Sequence, residues 1–496
     1  MLLPKAPNRW TALIVLIPIA LSAYTHLWNA GGFPDIFYDE GAYLRRAMNI
    51  LYYLEPQESE TYYDHPYFGQ ILLAGLFAVS GFPDSLNPSS TLESVESLYM
   101  VPKVWMGLFA VVDTLLIYKI VQTRYEDQRM ALLASLLFAV MPISWLTRRV
   151  LLESLLLPFL LSSILLALSL RNASGGKKQH ILVLMSGVCL GLAIFTKVPA
   201  VAAIPLVGYL VYSTTGKKIR NLGLWLIPAL LIPLLWPLHS ISEDRFDYWV
   251  ASLLSQSQRS SDGIATIFWN FWKIDPVLLL LGLAGLGYSI LIKRDFFPIL
   301  WALPFLILFS LVSYVQYFHV IPLLPIFCIS SALWVVDLIR RLWHSKATLV
   351  ANGALASFAI YGLLITSLLI TTDMTSSQFQ AAAFVSNISD EDTTIVSNPT
   401  YSWLYNFVLY KPHALGDYRD VLYVPLPISN VVLISEPHFQ ASMGDEPKLE
   451  ELYNRTSSIR VFHGQIQNYD VDSYPYSSLS VTGQGELIDI RQYPAP

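Results

Sequence analysis

Long apolar runs recur along this chain from residue 10 to residue 370, and that recurrence decides most of what it can fold into. A helix crossing a hydrocarbon core of ~30 Å needs about 20 apolar residues, because each rises 1.5 Å and the backbone must satisfy its own hydrogen bonds. Runs of this kind lie near 10–28, 99–120, 130–147, 150–170, 181–197, 198–213, 221–238, 275–292, 297–313, 317–339 and 348–370. Hydrophobic residues make up 54% of the chain and charged ones 14%, so lipid rather than water surrounds most of it. The expected fold is an α-helical multispan membrane protein of about eleven transmembrane helices.

One run resists this reading. Residues 66–82 offer about 17 positions between His65 and Asp84, marginal for a crossing. Basic loops decide the matter. If 66–82 stays on the outer face, Lys119, Arg124 and Arg129, Arg171/Lys177/Lys178, Lys217/Lys218/Arg220, Lys293/Arg294 and Arg340/Arg341/Lys346 all fall inside. The opposite parity puts every one of those clusters outside, against the positive-inside bias. The reading is therefore a cytoplasmic N-terminus, a re-entrant or juxtamembrane helix at 66–82, and a C-terminus outside. The first run, behind Lys5 and Arg9, shows no small-residue cleavage site and is taken as a retained anchor.

After Thr371 the hydropathy collapses. Gln378–Ile388 reads as a helix, and Thr393–Ser397, Val421–Val424 and Val431–Ile434 as short strands with proline-rich connections, so 372–496 is expected to form a small α/β domain outside the membrane. That segment carries 6 Lys/Arg against 15 Asp/Glu, net −9, leaving 25 against 21 in residues 1–371. A mildly basic membrane body with an acidic tail does not bind nucleic acid. The two cysteines, Cys189 and Cys328, both sit in apolar runs, which removes a disulfide framework and a zinc site as organising features.

Charged groups at membrane depth need a reason. On this topology the outer ends of the spans collect Asp39, Glu40, Arg45, Arg46, Asp64, His65, Lys103, Arg148, Arg149, Glu153, Lys197 and His319. Long basic side chains there can simply snorkel to headgroups. Carboxylates gain nothing at an anionic surface, so Asp39-Glu40, between glycines and aromatics, asks for another explanation. Tyr62, Tyr63 and Tyr67 could stack on a sugar or serve as interfacial belt. Asp113, alone in the middle of a span, is a feature of ion paths in transporters, though a lone acid also pairs with polar neighbours.

Taken in order, these residues resemble a family. Asp39-Glu40 soon after the first span, then Asp64-His65-Pro66 opening a juxtamembrane helix, is similar to the polyprenyl-phosphate-dependent glycosyltransferases of the GT-C superfamily. Among them the protein O-mannosyltransferases and the aminoarabinose transferases of lipid A are the nearest likeness. Arg148-Arg149-Val150-Leu151-Leu152-Glu153, Phe195-Thr196-Lys197 and Tyr317-Phe318-His319-Val320-Ile321-Pro322-Leu323-Leu324-Pro325 resemble further family segments, over residues 1–340 or so. The resemblance implies a catalytic membrane domain at 1–371, with an outer catalytic loop and juxtamembrane helices at 31–98, and an extracytoplasmic domain at 372–496. It implies transfer of mannose or a similar hexose or pentose from a polyprenyl- or dolichyl-phosphate donor to a protein, lipid or glycan, with inversion, in the cell membrane or the endoplasmic reticulum of a eukaryote.

Carried over residue by residue, the resemblance makes Asp39 the general base or base-orienting carboxylate for the acceptor, Glu40 the holder of nearby cations, and Glu153 a second acid lining the cavity. His65, Lys197 and His319 would face the donor phosphate, with Asp64, Tyr63 and Lys103 lining the substrate. The chain departs from the pattern at four places: His65-Pro66-Tyr67 stands where a lysine or His-Pro-Pro is common, His319 where Tyr is, Lys103 where Arg is, and Glu153 where Asp is. Arg45, Arg148 and Arg149 therefore also stand as phosphate ligands. Membrane lipid, the lipid-linked sugar and the acceptor are the partners implied, with the donor a substrate rather than a resident cofactor and no metal expected. The chemistry fits this without the family: phosphate departure calls for cations in a water-poor site, and the acceptor hydroxyl calls for a carboxylate. A transporter or flippase of a lipid-linked or anionic solute is the alternative, and would show inverted repeats and polar breaks at mid-membrane. A non-catalytic scaffold would be indifferent to loss of Asp39.

Overall fold

The computed structural model describes residues 9–56, 63–84, 86, 88–173, 176–214, 218–259, 263–312, 314–342, 347–423, 430–464 and 487–493. Tyr62, Lys217 and Lys346 lie outside the described residues. The chain opens with α1 (Arg9–Leu27), α2 (Tyr38–Tyr53), α3 (Phe68–Val79) and α4 (Leu92–Tyr125). Next come α5 (Gln128–Val140), α6 (Leu152–Ser169), α7 (Gly176–Thr196), α8 (Ile204–Thr214), α9 (Lys218–Leu231) and α10 (Leu235–Ser242). Two helices, α11 (Phe246–Gln258) and α12 (Ile264–Ile274), precede the last four long ones. These are α13 (Pro276–Tyr288), α14 (Phe297–Leu311), α15 (Leu324–Leu342) and α16 (Ala347–Ile370).

Among the described residues five helices are long and apolar enough to cross a membrane, seven if each of two bent pairs is one span, with five shorter apolar helices beside them. Four of the eleven spans expected from the sequence, at Ile14–Leu27, Val198–Thr214, Phe297–Leu311 and Ala356–Ile370, are among the shorter apolar helices rather than the seven long enough to cross. At 12 residues α3 is about 18 Å long, shorter than a crossing needs, and it packs mainly beside α2 while also touching α4, α6 and α7. Two spans are broken. Pro142 ends α5, and the 3₁₀ turn Pro142–Arg148 leaves it at 69°. The pair α9 and α10 bends by 42°. Segment Tyr317–Leu342 is central, with 89% of its most apolar window buried, whereas Pro276–Lys293 has 28% and turns Leu280 and Leu283 outward. Close packing uses small residues. A Cβ on Gly187 or Gly191 of α7 would come within 2.2 and 2.5 Å of the Trp225 and Pro228 carbonyls of α9, the spacing of a Gly-x-x-x-Gly contact.

Ion pairs gather the basic loops at one end: Arg124 with Asp295 at 2.9 Å, Arg171 with Glu126 at 3.4 Å, Arg340 with Asp127, and Lys293 with Asp337. At the opposite end lie the starts of α2 and α6, the end of α7 and the turn Tyr317–Leu323 before α15. There the loop between α1 and α2 is anchored in the body. Arg149 meets Asp35 at 2.5 Å and Glu40 at 3.8 Å, and Lys103 meets Glu40 at 4.0 Å while donating to the Pro34 carbonyl at 2.7 Å. All four charged side chains are buried, two of each sign. Glu40 also accepts the backbone N–H groups of Phe37 (3.1 Å) and Val150 (3.0 Å), fixing the first turn of α2 to the start of α6. Arg148 donates to the carbonyls of Thr25, Trp28 and Asn29, where the α1 dipole is negative and its last carbonyls lack partners.

Beyond α16 come α17 (Ser376–Ile388), α18 (Pro399–Trp403), α19 (Pro437–Met443) and α20 (Pro447–Arg455). They surround the strands β1 (Thr394–Val396), β2 (Val431–Ser435), β3 (Ser457–His463) and β4 (Leu487–Gln492). The sheet order is β1-β2-β4-β3, parallel between β1 and β2 and antiparallel elsewhere. Strand β2 alternates as a pleat requires. Val432 and Ile434 join the large core that runs through the membrane body, and Val431 and Leu433 join a separate cluster with Phe439, Leu449 and Leu452. The strand expected at Val421–Val424 is not seen at Val421–Tyr423, and Val424 lies outside the described residues. Asp417 and Asp420 cap each other's backbone and wind Tyr418–Leu422 into a 3₁₀ turn, so local capping overrides β-branched composition.

Replacing Arg149 by Met leaves Asp35 and Glu40 buried without their shared cation. The variant is expected to lose about 3–5 kcal/mol of stability, read as a lower unfolding midpoint in detergent. An unchanged midpoint contradicts the anchoring role.

Candidate active site

A cavity of about 670 Å³ opens at the end of the bundle opposite the ion-paired basic loops. Its walls come from α2 (Asp39, Arg45, Arg46), the approach to α3 (Asp64, His65), the end of α7 (Lys197), α11 (Gln256, Ser257, then Arg259), α14 (Leu308, Phe309) and the segment before α15 (Tyr314, Phe318, His319). Widely separated stretches thus supply one site because the α2 loop, the α6 and α7 ends and the α15 start share one end of the bundle.

Asp39 is partly exposed, but to this cavity rather than to bulk water, and among the described residues it makes no hydrogen bond or ion pair within 4 Å. Burial pushes its carboxyl up to about 6; Lys197 and Arg46 oppose the rise, and Glu153 and Asp64 add to it. Asp64 behaves oppositely. Burial pushes it up, but the two-pronged contact with Arg46 at 2.8 and 3.0 Å, helped by His65, wins and holds it at about 2. Burial lowers His65 to about 3 despite Asp64, so the ring is neutral and offers a hydrogen bond rather than a charge. Two carboxylates 25 residues apart in sequence therefore have different work: one is locked to its arginine, and the other is poised near neutrality.

Glu153, in the first turn of α6, is buried and accepts from Lys197 Nζ at 2.5 Å. His319 Nδ1 takes the Gln316 backbone N–H at 2.7 Å, which leaves the hydrogen on Nε2, 3.4 Å from the same Glu153 oxygen. Glu153 thus holds Lys197 and His319 side by side on the wall. Counting Arg45, Arg46, Lys197 and Arg259 against Asp39, Asp64 and Glu153, the site has four cations for three carboxylates, a balance that favours an anion.

The structure brings Asp39, Arg45, Asp64, His65, Lys197 and His319 onto the cavity wall, with Glu153 directly behind. It does not bring Arg148, Arg149 or Lys103 there. Their charges are engaged by α1 carbonyls, by Asp35 and by Glu40 inside the body, and Glu40 faces that cluster too. Tyr63 is buried among Tyr67, Phe195 and Trp236, its backbone N–H donating to Ser252, so it does not line the cavity. Arg259 and Tyr314, in cation–π contact at 5.6 Å, line the cavity without having been foreseen. The cue was a lone arginine closing the polar run Ser255–Arg259 outside the spans. No group of three or more His, Cys, Asp or Glu among the described residues is placed to hold a metal ion.

Residues 15–254 match the family model of the dolichyl-phosphate-mannose-protein mannosyltransferases, just under half of the chain. No curated protein matches. Among solved structures, ArnT from Cupriavidus metallidurans bound to undecaprenyl phosphate is similar over 98% of both chains, with a TM-score of 0.58 and 11% identity. The Archaeoglobus fulgidus oligosaccharyltransferase tethered with an acceptor peptide is similar over 92% of this chain and 73% of its own, with a TM-score of 0.57 and 14% identity. Archaeal oligosaccharyltransferase AglB from the same organism, in complex with an inhibitory peptide and a dolichol-phosphate, covers 89% of this chain and 72% of its own at 0.55 and 13%. At such identities the structural likeness establishes the fold. Together with the family-model match over residues 15–254, this indicates a membrane glycosyltransferase whose fold is similar to those of ArnT and the archaeal oligosaccharyltransferase.

The raised Asp39 carboxyl has a consequence for stability. An acid whose folded value lies above its unfolded 3.8 destabilises the fold once ionised; the penalty is absent below 3.8 and complete above about 6. At pH 7 it reaches at most about 3 kcal/mol, less whatever cavity water screens. Asp39→Asn should therefore unfold at a higher temperature than wild type at pH 7, with the gap closing by pH 4. A variant less stable than wild type at pH 7 contradicts the assignment.

Proposed function

We propose that this glycosyltransferase moves a sugar, mannose or a similar hexose or pentose, from a polyprenyl- or dolichyl-phosphate donor to a hydroxyl of a protein, lipid or glycan acceptor, inverting the anomeric carbon. One observation carries the reading. An unpaired carboxylate, Asp39, faces a cavity whose other walls hold Lys197, His319 and Arg45. In the transfer, Asp39 accepts the acceptor hydroxyl proton as that oxygen bonds to the anomeric carbon. The bond from that carbon to the phosphate oxygen breaks, and the polyprenyl phosphate leaves with the electron pair. Lys197 and Arg45 stabilise the growing charge, and His65 and His319 offer N–H groups to it. Glu153 keeps Lys197 and His319 in place. Leu308, Phe309 and Val312 supply an apolar flank beside the cations, which suits a lipid-linked leaving group.

The polyprenyl phosphates in the similar ArnT and AglB structures support the donor class, and the family-model description supports mannose as the first sugar to test. The reading has a cytoplasmic N-terminus, an outward-facing cavity and an extracytoplasmic 372–496 domain, and the gathering of basic loops at the end away from the cavity supports it through the positive-inside bias.

The test is a transfer assay on the full chain in lipid, with short-chain polyprenyl-phosphate mannose and mixed peptide and lipid acceptors. Wild type should consume donor, and Asp39→Asn should lower kcat by about 10²–10⁴-fold, the range for a general base. Below pH about 6 the wild-type kcat/KM should fall tenfold per unit. Asp64 and His65 titrate too far down, at about 2 and 3, to produce that limb. If a wide panel of donor sugars is left intact by wild type, or if Asp39→Asn transfers as fast as wild type, the reading fails.

A further inference from the structure

The loop that delivers Asp39 is held from a second side, by residues far downstream. Asn29 donates to the Ile370 and Thr372 carbonyls at 3.0 Å each, and Gly31 and Gly32 carbonyls accept from Thr375 Oγ1 at 2.6 Å and Met374 N at 2.7 Å. Gln378 Oε1 then accepts the Ile36 backbone N–H at 2.9 Å. The last contact reaches α2 itself. The Trp403 indole lies against Gly41, so closely that a Cβ there would meet Nε1 at 2.3 Å, and the same Nε1 donates to Tyr99 Oη of α4 at 2.8 Å. Trp403 is 4% exposed and Tyr99 fully buried, so neither side chain has water as an alternative partner.

Gly41 is two residues from Asp39, in the turn where Glu40 is tied to Val150. That turn is thus gripped on one face by Glu40 and on another by Trp403. A first helical turn is where a helix frays, and Asp39, without a hydrogen bond of its own, takes its direction only from the backbone that carries it. Sub-ångström displacement of a reacting group is enough to slow a reaction greatly.

We infer that Trp403 is a positioning residue for the transfer reaction: seated on Gly41 and hydrogen-bonded to Tyr99, it sets the first turn of α2 and so the direction of the Asp39 carboxylate. The inference rests on the assignment of Asp39 as base. It gives the C-terminal segment a part in the chemistry, and Trp403 lies well beyond the residues 15–254 matched by the family model.

The experiment compares Trp403→Phe, Trp403→Ala, Gly41→Ala and the double variant Gly41→Ala/Trp403→Ala in the lipid-reconstituted full chain, measuring kcat, donor KM and the unfolding midpoint. Trp403→Ala should lower kcat at least tenfold with donor KM within threefold of wild type. Trp403→Phe, which keeps a ring but loses the donor N–H, should fall between. Gly41→Ala pushes the indole away and should lower kcat similarly, and the double variant should be no slower than Trp403→Ala alone, a non-additive cycle. If Trp403→Phe and Trp403→Ala keep wild-type kcat while only the midpoint drops, Trp403 is a packing residue and the inference is overturned. Additive losses in the double variant also overturn it. Failure of the underlying reading looks different: wild type shows no transfer, or Asp39→Asn retains it, and the inference then falls with the base assignment.

Discussion

Two buried cations and two buried carboxylates hold the stretch between the first span and α2, and the cavity depends on them. Arg149, Lys103, Asp35 and Glu40 are all at most 1% exposed, so each charge is tolerable only because the others are there. Such a cluster adds little net stability over apolar packing of the same volume, but it tolerates very few arrangements. A loop anchored this way has one register against α4 and α6. Asp39 is therefore presented to the cavity while its neighbour Glu40 is turned inward.

Partial neutralisation also explains how the site divides its labour. Asp64 and Glu153 each have a cation in contact and act as holders: one fixes Arg46, the other sets Lys197 beside His319. Asp39 has no such partner, and burial keeps its proton affinity near that of the medium. A base for a hydroxyl and an anion site must lie within one sugar's width yet not neutralise each other. On the proposed reading, the cavity meets that demand by pairing Asp64 and Glu153 and leaving Asp39, the proposed base, without an ion-pair partner.

Much of this was legible in the sequence, and the failures are informative. The apolar helices were, because hydropathy over about 20 residues is a bulk property that neighbouring helices do not overturn, and the short run at 66–82 forms a helix of only 12 residues. Convergence of Asp39, Asp64, His65, Lys197 and His319 followed from their common position at span ends. Arg148 and Arg149 were misjudged as phosphate ligands because a sequence shows charge but not direction: next to a 3₁₀ turn, both guanidiniums point into the body, to α1 carbonyls and to Asp35. Arg259 was missed because its aromatic partner, Tyr314, lies 55 residues away. Trp403 was not singled out, because its contact is with a glycine more than 360 positions upstream, a relation no local pattern carries.

The central claim is that Asp39 and the phosphate-facing cations act from opposite sides of one sugar in a single displacement. The most direct test is the anomeric configuration of the transferred sugar, read by NMR on product made from a donor of defined configuration. The account predicts inversion, with a β-linked donor giving an α-linked product. Retention would require a covalent glycosyl-enzyme and a second nucleophilic carboxylate, and would contradict it.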